Sequence, residues 1–431
     1  MNIIYMHSHD TGRYIEPYGH AVPTPNVMAF AREGVLFRHA YCAGPTCSPS
    51  RSALLTGMVP HSNGMIGLAH RGFSLNNYDQ HVVRQLKGLG YETVLCGVQH
   101  EAADASSIGY RHILAKSAGS DKDDLHNAAL AAEYIQASGK KQPFFLSFGM
   151  FNTHRDFPEL DGTINPDYVI PPFPLADTAE NRKDTAAYMM SARTMDACVG
   201  IVLEAVRSSG LEDDTLIIYT TDHGPAFPRM KCNLYDTGIG VSLIMKHPSF
   251  SNGRAVDGLV SHIDLLPTIY DMIGVEAPGH TQGVSLLPLL QNKTDSVRSE
   301  VFAEVTYHAA YEPMRCVRTD RYKYIRRFGD RFRPTLANID DGGSKSFMLQ
   351  HGLQDEAYCE EMLFDLALDP VERVNLAKDE KYSHVYETMS LRLKEWMEET
   401  GDPLLNGPVP FPPGARINLP ESLSPRESTF L

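Results

Sequence analysis

The 431-residue chain is poor in cysteine, and its cysteines lack the spacing of a bonded framework. The seven cysteines are scattered, odd in number and free of CxxC pairs. Paired or clustered cysteines would indicate a disulfide scaffold or a structural zinc site. We therefore expect reduced thiols, and we exclude both of those classes of protein.

Basic residues are also scarce, because 39 lysines and arginines stand against 53 acidic residues, for a net charge of −14. Nucleic acids and anionic membrane surfaces attract proteins of opposite charge. We therefore expect neither nucleic acid nor membrane as a partner. A long polyanion would be repelled as well, so an anionic substrate would need a local basic pocket and is expected to be short.

Long apolar segments are missing, since no run approaches the roughly 18 residues that a membrane span requires. The first residues carry neither the basic segment nor the long apolar segment of a secretory signal. We therefore expect a cytoplasmic protein. Its 42% apolar and 21% charged residues are typical of globular proteins, and its length suits one large domain with a smaller one.

Four apolar runs lead directly into polar clusters. The runs lack polar alternation, as expected of buried parallel strands, and the ligands of α/β sheets gather beyond the carboxyl ends of such strands. The runs are 2–6, 92–97, 143–151 and 215–220, and the clusters after them contain His9, Asp10, His100, His154, Asp222 and His223. These side chains are therefore expected to meet at one edge of a mostly parallel sheet.

The stretch CSPSR at 47–51 lies between a predicted strand, 35–41, and an apolar run that indicates the first turns of a helix. Pro49 suits the first turn of a helix, so Cys47 is expected at a helix N-terminus, where an anion or a thiolate is favoured. Arg51 adds a fork of donors suited to a tetrahedral oxyanion. The alternative is a small apolar cysteine at the edge of a core, with Arg51 paired to a carboxylate.

The pattern C-x-P-x-R followed by a helix resembles the signature of the type I sulfatases, members of the alkaline phosphatase superfamily. In that family the cysteine is oxidised to formylglycine, whose hydrated aldehyde is the nucleophile. The sequence DHG at 222–224, after a strand, resembles the second metal half-site of the superfamily. The stretches FFLSFGMFNTHR at 144–155 and FPRMKCNLY at 227–235 resemble heparan N-sulfatases, also called sulfamidases.

The resemblance implies an alkaline-phosphatase-like α/β sandwich, with a large mostly parallel central sheet flanked by helices. Residues 1–299 would form this catalytic domain. From about Glu300 the pattern changes to hairpins with polar turns, which predicts an antiparallel sheet. Residues 300–400 would then form a smaller α+β subdomain closed by a helix. The tail 401–431, rich in proline, glycine and serine, is expected to be extended, and to wrap around a neighbour or remain mobile.

The resemblance also implies one divalent metal ion beside the nucleophile. Its expected ligands are one imidazole and one carboxylate after the first strand, the modified cysteine, and the Asp-His pair: His9, Asp10, Cys47, Asp222 and His223. Sulfatases usually have two adjacent aspartates where this chain has His9 and Asp10. The resemblance implies Ca²⁺. The two imidazoles make Mn²⁺ an alternative, and the carboxylates leave Mg²⁺ possible.

The catalytic residues that the resemblance implies are Cys47, Arg51, His100, His154 and Lys231. His154 would protonate the leaving group, His100 would deprotonate the second hydroxyl of the formylglycine hydrate, and Lys231 would contact the sulfate. Substrate contacts are expected from four further residues: Arg155, Glu304, Thr306 and His308. The chain departs from the family at Val98, where sulfatases carry a lysine.

The sequence thus predicts a sulfatase that hydrolyses an N- or O-sulfate of a sulfated sugar. Its partners would be a small sulfated carbohydrate and a formylglycine-generating or anaerobic sulfatase-maturating enzyme, with a homo-oligomer left open. One alternative is a phosphodiester or phosphonate monoester hydrolase of the same superfamily. The other is a metal-binding or carbohydrate-binding relic without turnover, a hypothesis that Val98 and His9 motivate.

Overall fold

The computed structural model describes residues 1–115, 122–139, 142–250 and 253–431, which form three sheets. The strands are β1 (Asn2–Ser8), β2 (Val35–Phe37), β3 (Ala40–Tyr41), β4 (Glu92–Gly97), β5 (His112–Ile113), β6 (Phe144–Gly149), β7 (Thr215–Thr221), β8 (Leu243–Lys246), β9 (Arg254–Val256), β10 (Val260–Ser261), β11 (Glu300–Tyr307), β12 (Tyr311–Thr319), β13 (Tyr322–Arg327) and β14 (Glu361–Asp365). The large sheet has the order β5-β4-β6-β1-β7-β8-β2-β9, and of these eight strands only β8 runs antiparallel to its neighbours. The predicted mostly parallel sheet is confirmed.

The described residues form helices on both faces of this sheet and in the C-terminal subdomain. They are α1 (Pro25–Glu33), α2 (Cys47–Thr56), α3 (Pro60–Asn63), α4 (Val82–Gly88), α5 (Asp124–Ser138), α6 (Ala179–Ser208), α7 (Asp236–Ile239), α8 (Leu265–Ile273), α9 (Leu287–Leu290), α10 (Gly343–Gln350) and α11 (Ser383–Thr400). Helices α1, α5 and α6 share one core with Ile4 and Met6 of β1, whereas α2, α4 and α8 share the other with Ile3 and Tyr5. Because successive strand residues face opposite ways, the apolar run of β1 fills both cores.

The central strands bring distant polar segments together. Strand β1 pairs in parallel with β6 on one side and β7 on the other, and the register places His7 beside both Gly149 and Thr220. The segments after these three strands therefore emerge side by side at one sheet edge, as predicted for a ligand crevice.

Two elements differ from their predicted bounds. The predicted strand 35–41 is divided, because β2 pairs with β8 and β9 in the large sheet while β3 pairs with β10 in a separate parallel pair. The amphipathic pattern predicts a helix over 186–208, whereas helix α6 begins at Ala179. Its first turns are largely polar, and the Thr178 side chain caps them by accepting a hydrogen bond from the Asn181 backbone.

The C-terminal subdomain is the predicted antiparallel sheet with a closing helix, in the order β11-β12-β13-β14. One face packs on α11, where Trp396 stacks on Phe302 with ring centroids 4.8 Å apart. Residues of the other face, including Val305 and Met314, belong to the same core as α2 and α8. The small sheet therefore joins the large domain through a continuous apolar core.

The tail differs from the expectation that it wraps a neighbour or remains mobile. It is extended, but it packs on its own chain, where Ala415 and Ile417 are buried in one cluster with Met65 and Tyr307. A backbone bridge between Asn418 and Phe430 holds its end. The buried apolar side chains between its proline and glycine residues explain this docking.

Two further expectations concern cysteine and the membrane. All seven cysteines lie in the described residues and none forms a disulfide, as predicted; six are buried and Cys359 is exposed. Among the helices that the structure describes, none combines the length and the apolar character needed to cross a bilayer.

Candidate active site

The two aspartates predicted as metal ligands meet directly beyond β1 and β7. The Asp10 backbone N–H donates to Asp222 Oδ1 at 2.8 Å. His9 Nδ1 lies 2.9 Å from Asp10 Oδ1 and 3.1 Å from Asp222 Oδ2. Asp10 adopts φ +49°, a left-handed conformation that non-glycine residues seldom take outside turns and functional sites. The turn after β1 is thus shaped to place its side chains against those of β7.

Cys47 lies at the first position of α2, as predicted, and Thr46 precedes the helix in an extended conformation. The thiol can approach the aspartate cluster, because the ligand atoms of His9, Asp10, Cys47 and Asp222 all lie within 4.8 Å of one another. Burial raises the pKa of the Cys47 thiol well above its usual value, against the lowering effect of Lys231. The unmodified residue is therefore a neutral thiol, and the expected thiolate is not favoured here.

Arg51 lies one helical turn after Cys47 and is fully buried. Its Nη2 donates to Asp222 Oδ2 at 3.0 Å and to the Ser8 carbonyl at 3.1 Å, while Nη1 contacts His7 Nδ1. This is the carboxylate pairing that the sequence left as an alternative, but the Nε–H has no partner. Arg51 therefore fixes Asp222 and keeps its permanent charge beside residue 47.

Lys231 bridges two carboxylates at the same cluster. Its Nζ lies 3.0 Å from Asp10 Oδ2 and 2.9 Å from Asp340 Oδ2. Burial would raise the pKa of Asp10 and Asp340, yet the lysine lowers both, that of Asp340 to about 2. No sequence pattern predicted a role for Asp340, because this residue lies in an irregular segment before α10, outside any motif.

Three imidazoles line the other side of the cluster. His9 Nε2 lies 3.1 Å from His100 Nδ1, and the rings of His9 and His154 are 4.6 Å apart. Burial lowers the pKa of His9 and His100, with Arg51 adding to the effect at His100, so both rings are neutral near pH 7. His154 Nδ1 contacts the Arg155 carbonyl and so carries the proton, which leaves Nε2 as an acceptor in the neutral ring.

Val98 is buried, and its backbone N–H pairs with Gly149, so it supplies no charge to the site. A histidine outside the motifs is found on that side instead. His70, in the 3₁₀ turn Ala69–Arg71, places its ring 6.3 Å from that of His100. Burial lowers the pKa of His70 to about 4, so this ring does not replace the positive charge of the family lysine near pH 7.

Two of the predicted substrate residues are engaged away from the cluster. Arg155 is paired in a bidentate manner with Asp184, at 2.8 and 2.7 Å, and its Nε donates to the Ala226 carbonyl. This guanidinium thus joins its own loop to helix α6 and to the loop at Ala226. Thr306 Oγ1 accepts from Arg315.

Glu304 is likewise buried in a structural network, where its carboxylate contacts His61 and lies 3.7 Å from Arg315. Arg315 also pairs with Asp402 of the tail, so a guanidinium supplies the positive charge in this second acidic cluster. His308, by contrast, is buried near the site: burial and Lys231 lower its pKa, and its Nδ1 has no partner.

His223 tests whether the cluster suits a metal ion. Its Nδ1 donates to the Gly224 carbonyl at 2.9 Å, so the lone pair lies on Nε2. That atom is buried without a hydrogen-bond partner and lies 3.4 Å from Asp10 Oδ1 and 3.6 Å from Asp222 Oδ2. A cation between these three electron-rich atoms would relieve their mutual repulsion, so the residues fit a divalent metal.

The charge balance supports the same conclusion. Three carboxylates, Asp10, Asp222 and Asp340, stand against the charges of Arg51 and Lys231. With neutral imidazoles, this cluster carries a net negative charge that would repel an anionic substrate. A divalent cation would make it net positive, which is what binding of an oxyanion requires.

The sulfatase family model matches residues 1–275, and the model of the N-sulphoglucosamine sulphohydrolase C-terminal region matches residues 229–339. The first match covers more than half of the chain, so this protein belongs to the sulfatase family. It is a sulfuric ester hydrolase, and the sulfatase family generally uses formylglycine and a divalent metal.

Known relatives cover nearly the whole chain. This protein is 29% identical to human N-sulphoglucosamine sulphohydrolase, over 90% of this chain and 88% of the relative. It is also 29% identical to an ulvan-active sulfatase of Formosa agariphila, over 95% of this chain and 82% of the relative. A putative sulfatase of Bacteroides thetaiotaomicron shares the fold, with TM-score 0.74, 23% identity and 99% of both chains covered.

Glu101, beside His100, gives a prediction for pH dependence. Burial raises its pKa from 4.5 to about 7, against the opposing effect of Arg51. The folded protein therefore binds this proton more tightly than the unfolded chain, and stability is lost as pH rises from 4.5 through 7. Glu101→Gln should be nearly neutral at pH 5 and stabilising by up to about 3 kcal/mol at pH 8.

Urea unfolding followed by the fluorescence of Trp396, the single tryptophan, measures this difference. The control is Glu204→Gln, at a side chain that is 65% exposed, which should change stability equally at both pH values. An equal effect of Glu101→Gln at pH 5 and pH 8 would contradict the assignment.

Proposed function

We propose that this sulfatase removes the sulfate of a short sulfated sugar, with residue 47 converted to formylglycine. The observation that carries the proposal is the position of Cys47 at the N-terminus of α2, within 4.8 Å of ligand atoms of His9, Asp10 and Asp222. A human relative at 29% identity is named for N-sulphoglucosamine, and this supports an amino-sugar sulfate as the first substrate to test.

The cation would be held by the carboxylates of Asp10 and Asp222, with His9 and His223 as imidazole ligands. When bound, the cation and the hydrated aldehyde supply an activated oxygen nucleophile at neutral pH. Oxygen ligands favour Ca²⁺, which we take as the first candidate, whereas two imidazoles would favour Mn²⁺. Conversion of Cys47 would require a formylglycine-generating or an anaerobic maturating enzyme as a partner.

The side chains around residue 47 divide the remaining work. Lys231 and Arg51 provide fixed positive charge for the sulfate oxygens, with Asp340 and Asp222 holding them in place. His154, protonated for this step, would deliver its Nε2 proton to the leaving oxygen or nitrogen, because its Nδ1 is engaged by a carbonyl. His100, neutral through burial, would accept a proton from residue 47.

Measuring sulfate release tests whether residue 47 is the nucleophile. Protein whose conversion at residue 47 has been verified by mass spectrometry should release sulfate from N-sulfoglucosamine or from a sugar O-sulfate. Cys47→Ala should lose this activity to background, because no other group in the cluster can replace the oxygen nucleophile. Cys359→Ala, at an exposed cysteine, is the matched control and should keep it.

Full activity of Cys47→Ala would refute the nucleophile. Faster release of phosphate from an aryl phosphate than of sulfate from the matching aryl sulfate would favour the phosphoester alternative. Verified conversion without turnover on any substrate would favour the relic.

Two substrates with different leaving groups test whether His154 is the general acid. His154→Ala should lower kcat on a sugar sulfate by about 10²–10⁴, the usual contribution of a general acid. The loss on 4-nitrophenyl sulfate should be much smaller, since nitrophenolate departs without a proton. Steady-state kinetics on both substrates measures the two losses, and equal losses would show that His154 does not act as the acid.

A further inference from the structure

The C-terminal tail brings an arginine towards the site. Ala415 and Ile417 are buried on either side of Arg416, and this alternation leaves the Arg416 side chain exposed. The backbone of the tail is fixed here, because the Arg416 N–H donates to the Arg71 carbonyl at 2.9 Å and the Asn418 N–H to the Ala309 carbonyl at 2.8 Å. Arg416 is thus held in a defined position.

Arg71 lies against the same stretch of tail. Its guanidinium donates to the carbonyls of Arg416 and Pro425, at 3.1 and 2.7 Å, and to Asn418 Oδ1 at 2.7 Å. Arg416 Nη2 in turn donates to the His70 carbonyl at 2.7 Å. All of these acceptors are neutral.

Neither guanidinium therefore has a counter-charge: in the ranges that the structure describes, no carboxylate forms an ion pair with Arg71 or Arg416. Other arginines nearby are neutralised. Arg426 of the same tail lies 2.6 Å from Asp156, and Arg331 lies 3.2 Å from Glu421. Burial and the charge of Arg416 lower the pKa of Arg71, as expected for two like charges close together. A chain with net charge −14 thus keeps two adjacent cations unpaired.

The pair lies beside the catalytic cluster. His70 precedes Arg71, and its carbonyl accepts from Arg416. Its ring lies 6.3 Å from that of His100, and His100 Nδ1 is 3.1 Å from His9 Nε2. The charge of Arg71 also contributes to the lowered pKa of His308. A group on the substrate next to the sulfate that is cleaved can therefore come under the influence of these guanidinium groups.

We propose that Arg71 and Arg416 form a subsite for a second anionic group on the substrate, a sulfate or a carboxylate. This inference rests on the proposed function, since it assumes a sugar bound at residue 47. Guanidinium groups present paired donors that match both anions, and two unpaired guanidinium groups gain a counter-charge when such an anion binds. Arg71 fixes the tail, and Arg416 is the residue with donors free for the ligand.

The test compares kcat/KM for three substrates with the same cleavable sulfate. One carries no further anion, one carries a second sulfate on the same sugar, and one carries a neighbouring uronate. Arg416→Gln should lower the ratio of kcat/KM for a doubly anionic substrate to kcat/KM for the singly anionic one by about five- to tenfold. Arg416→Lys should retain part of the ratio, and raising the salt concentration should lower the wild-type ratio.

Arg426→Gln is the matched control, since Arg426 lies on the same tail and is already paired with Asp156. It should leave both the ratio and the activity unchanged. A fall for the second sulfate alone, or for the uronate alone, identifies the anion. An unchanged ratio for both in Arg416→Gln overturns the subsite.

Binding separates this inference from the proposed function. Calorimetry of Cys47→Ala with the same three ligands needs no turnover. A doubly anionic ligand should bind more weakly to the double variant Cys47→Ala/Arg416→Gln than to Cys47→Ala. If it does so while the wild type releases no sulfate, the subsite stands and the proposed substrate is refuted. If the doubly anionic ligands bind equally to Cys47→Ala and to Cys47→Ala/Arg416→Gln, the subsite is refuted, whatever the activity.

Discussion

The rest of the site depends on the forced proximity of Asp10 and Asp222. Strands β1 and β7 are adjacent and parallel, so the segments that follow them must lie side by side. Both carboxylates are buried, at 0% and 2% exposure, where two like charges a few ångströms apart cost several kcal/mol. Arg51 and Lys231 each neutralise one of them, and the lone pair of His223 adds to the negative side. Because Asp340 adds a third carboxylate, the cluster stays net negative, and a divalent cation would make it net positive.

That constraint also fixes what residue 47 can do. Helix α2 begins at Cys47 and places Arg51 on Asp222, so one helix positions both the proposed nucleophile and an aspartate proposed to bind the metal. The thiol itself is neutral and buried, which makes it a poor nucleophile. The proposed reaction therefore assigns the attack to the hydrated aldehyde and not to the thiol. The subdomain that contains the small sheet contributes Asp340, which pairs with Lys231.

The sequence predicted the parts of the site that follow from local patterns. Apolar runs that end in polar clusters located Asp10, His154 and Asp222, because a buried parallel strand constrains where its end lies. It did not predict His70 or Asp340, because their roles arise from contacts between segments far apart in the chain. The sequence also could not show that Arg155 and Glu304 are engaged in ion pairs, since this depends on which partners the fold brings near them.

Metal content is the most direct test of the account. Elemental analysis of the purified protein by mass spectrometry should find about one divalent cation per chain, Ca²⁺ or Mn²⁺, retained through gel filtration. Asp222→Asn should lose that cation while remaining folded, because Arg51 keeps an amide partner. A fully active wild-type protein without a bound divalent cation would contradict the claim that this cluster is built around a metal.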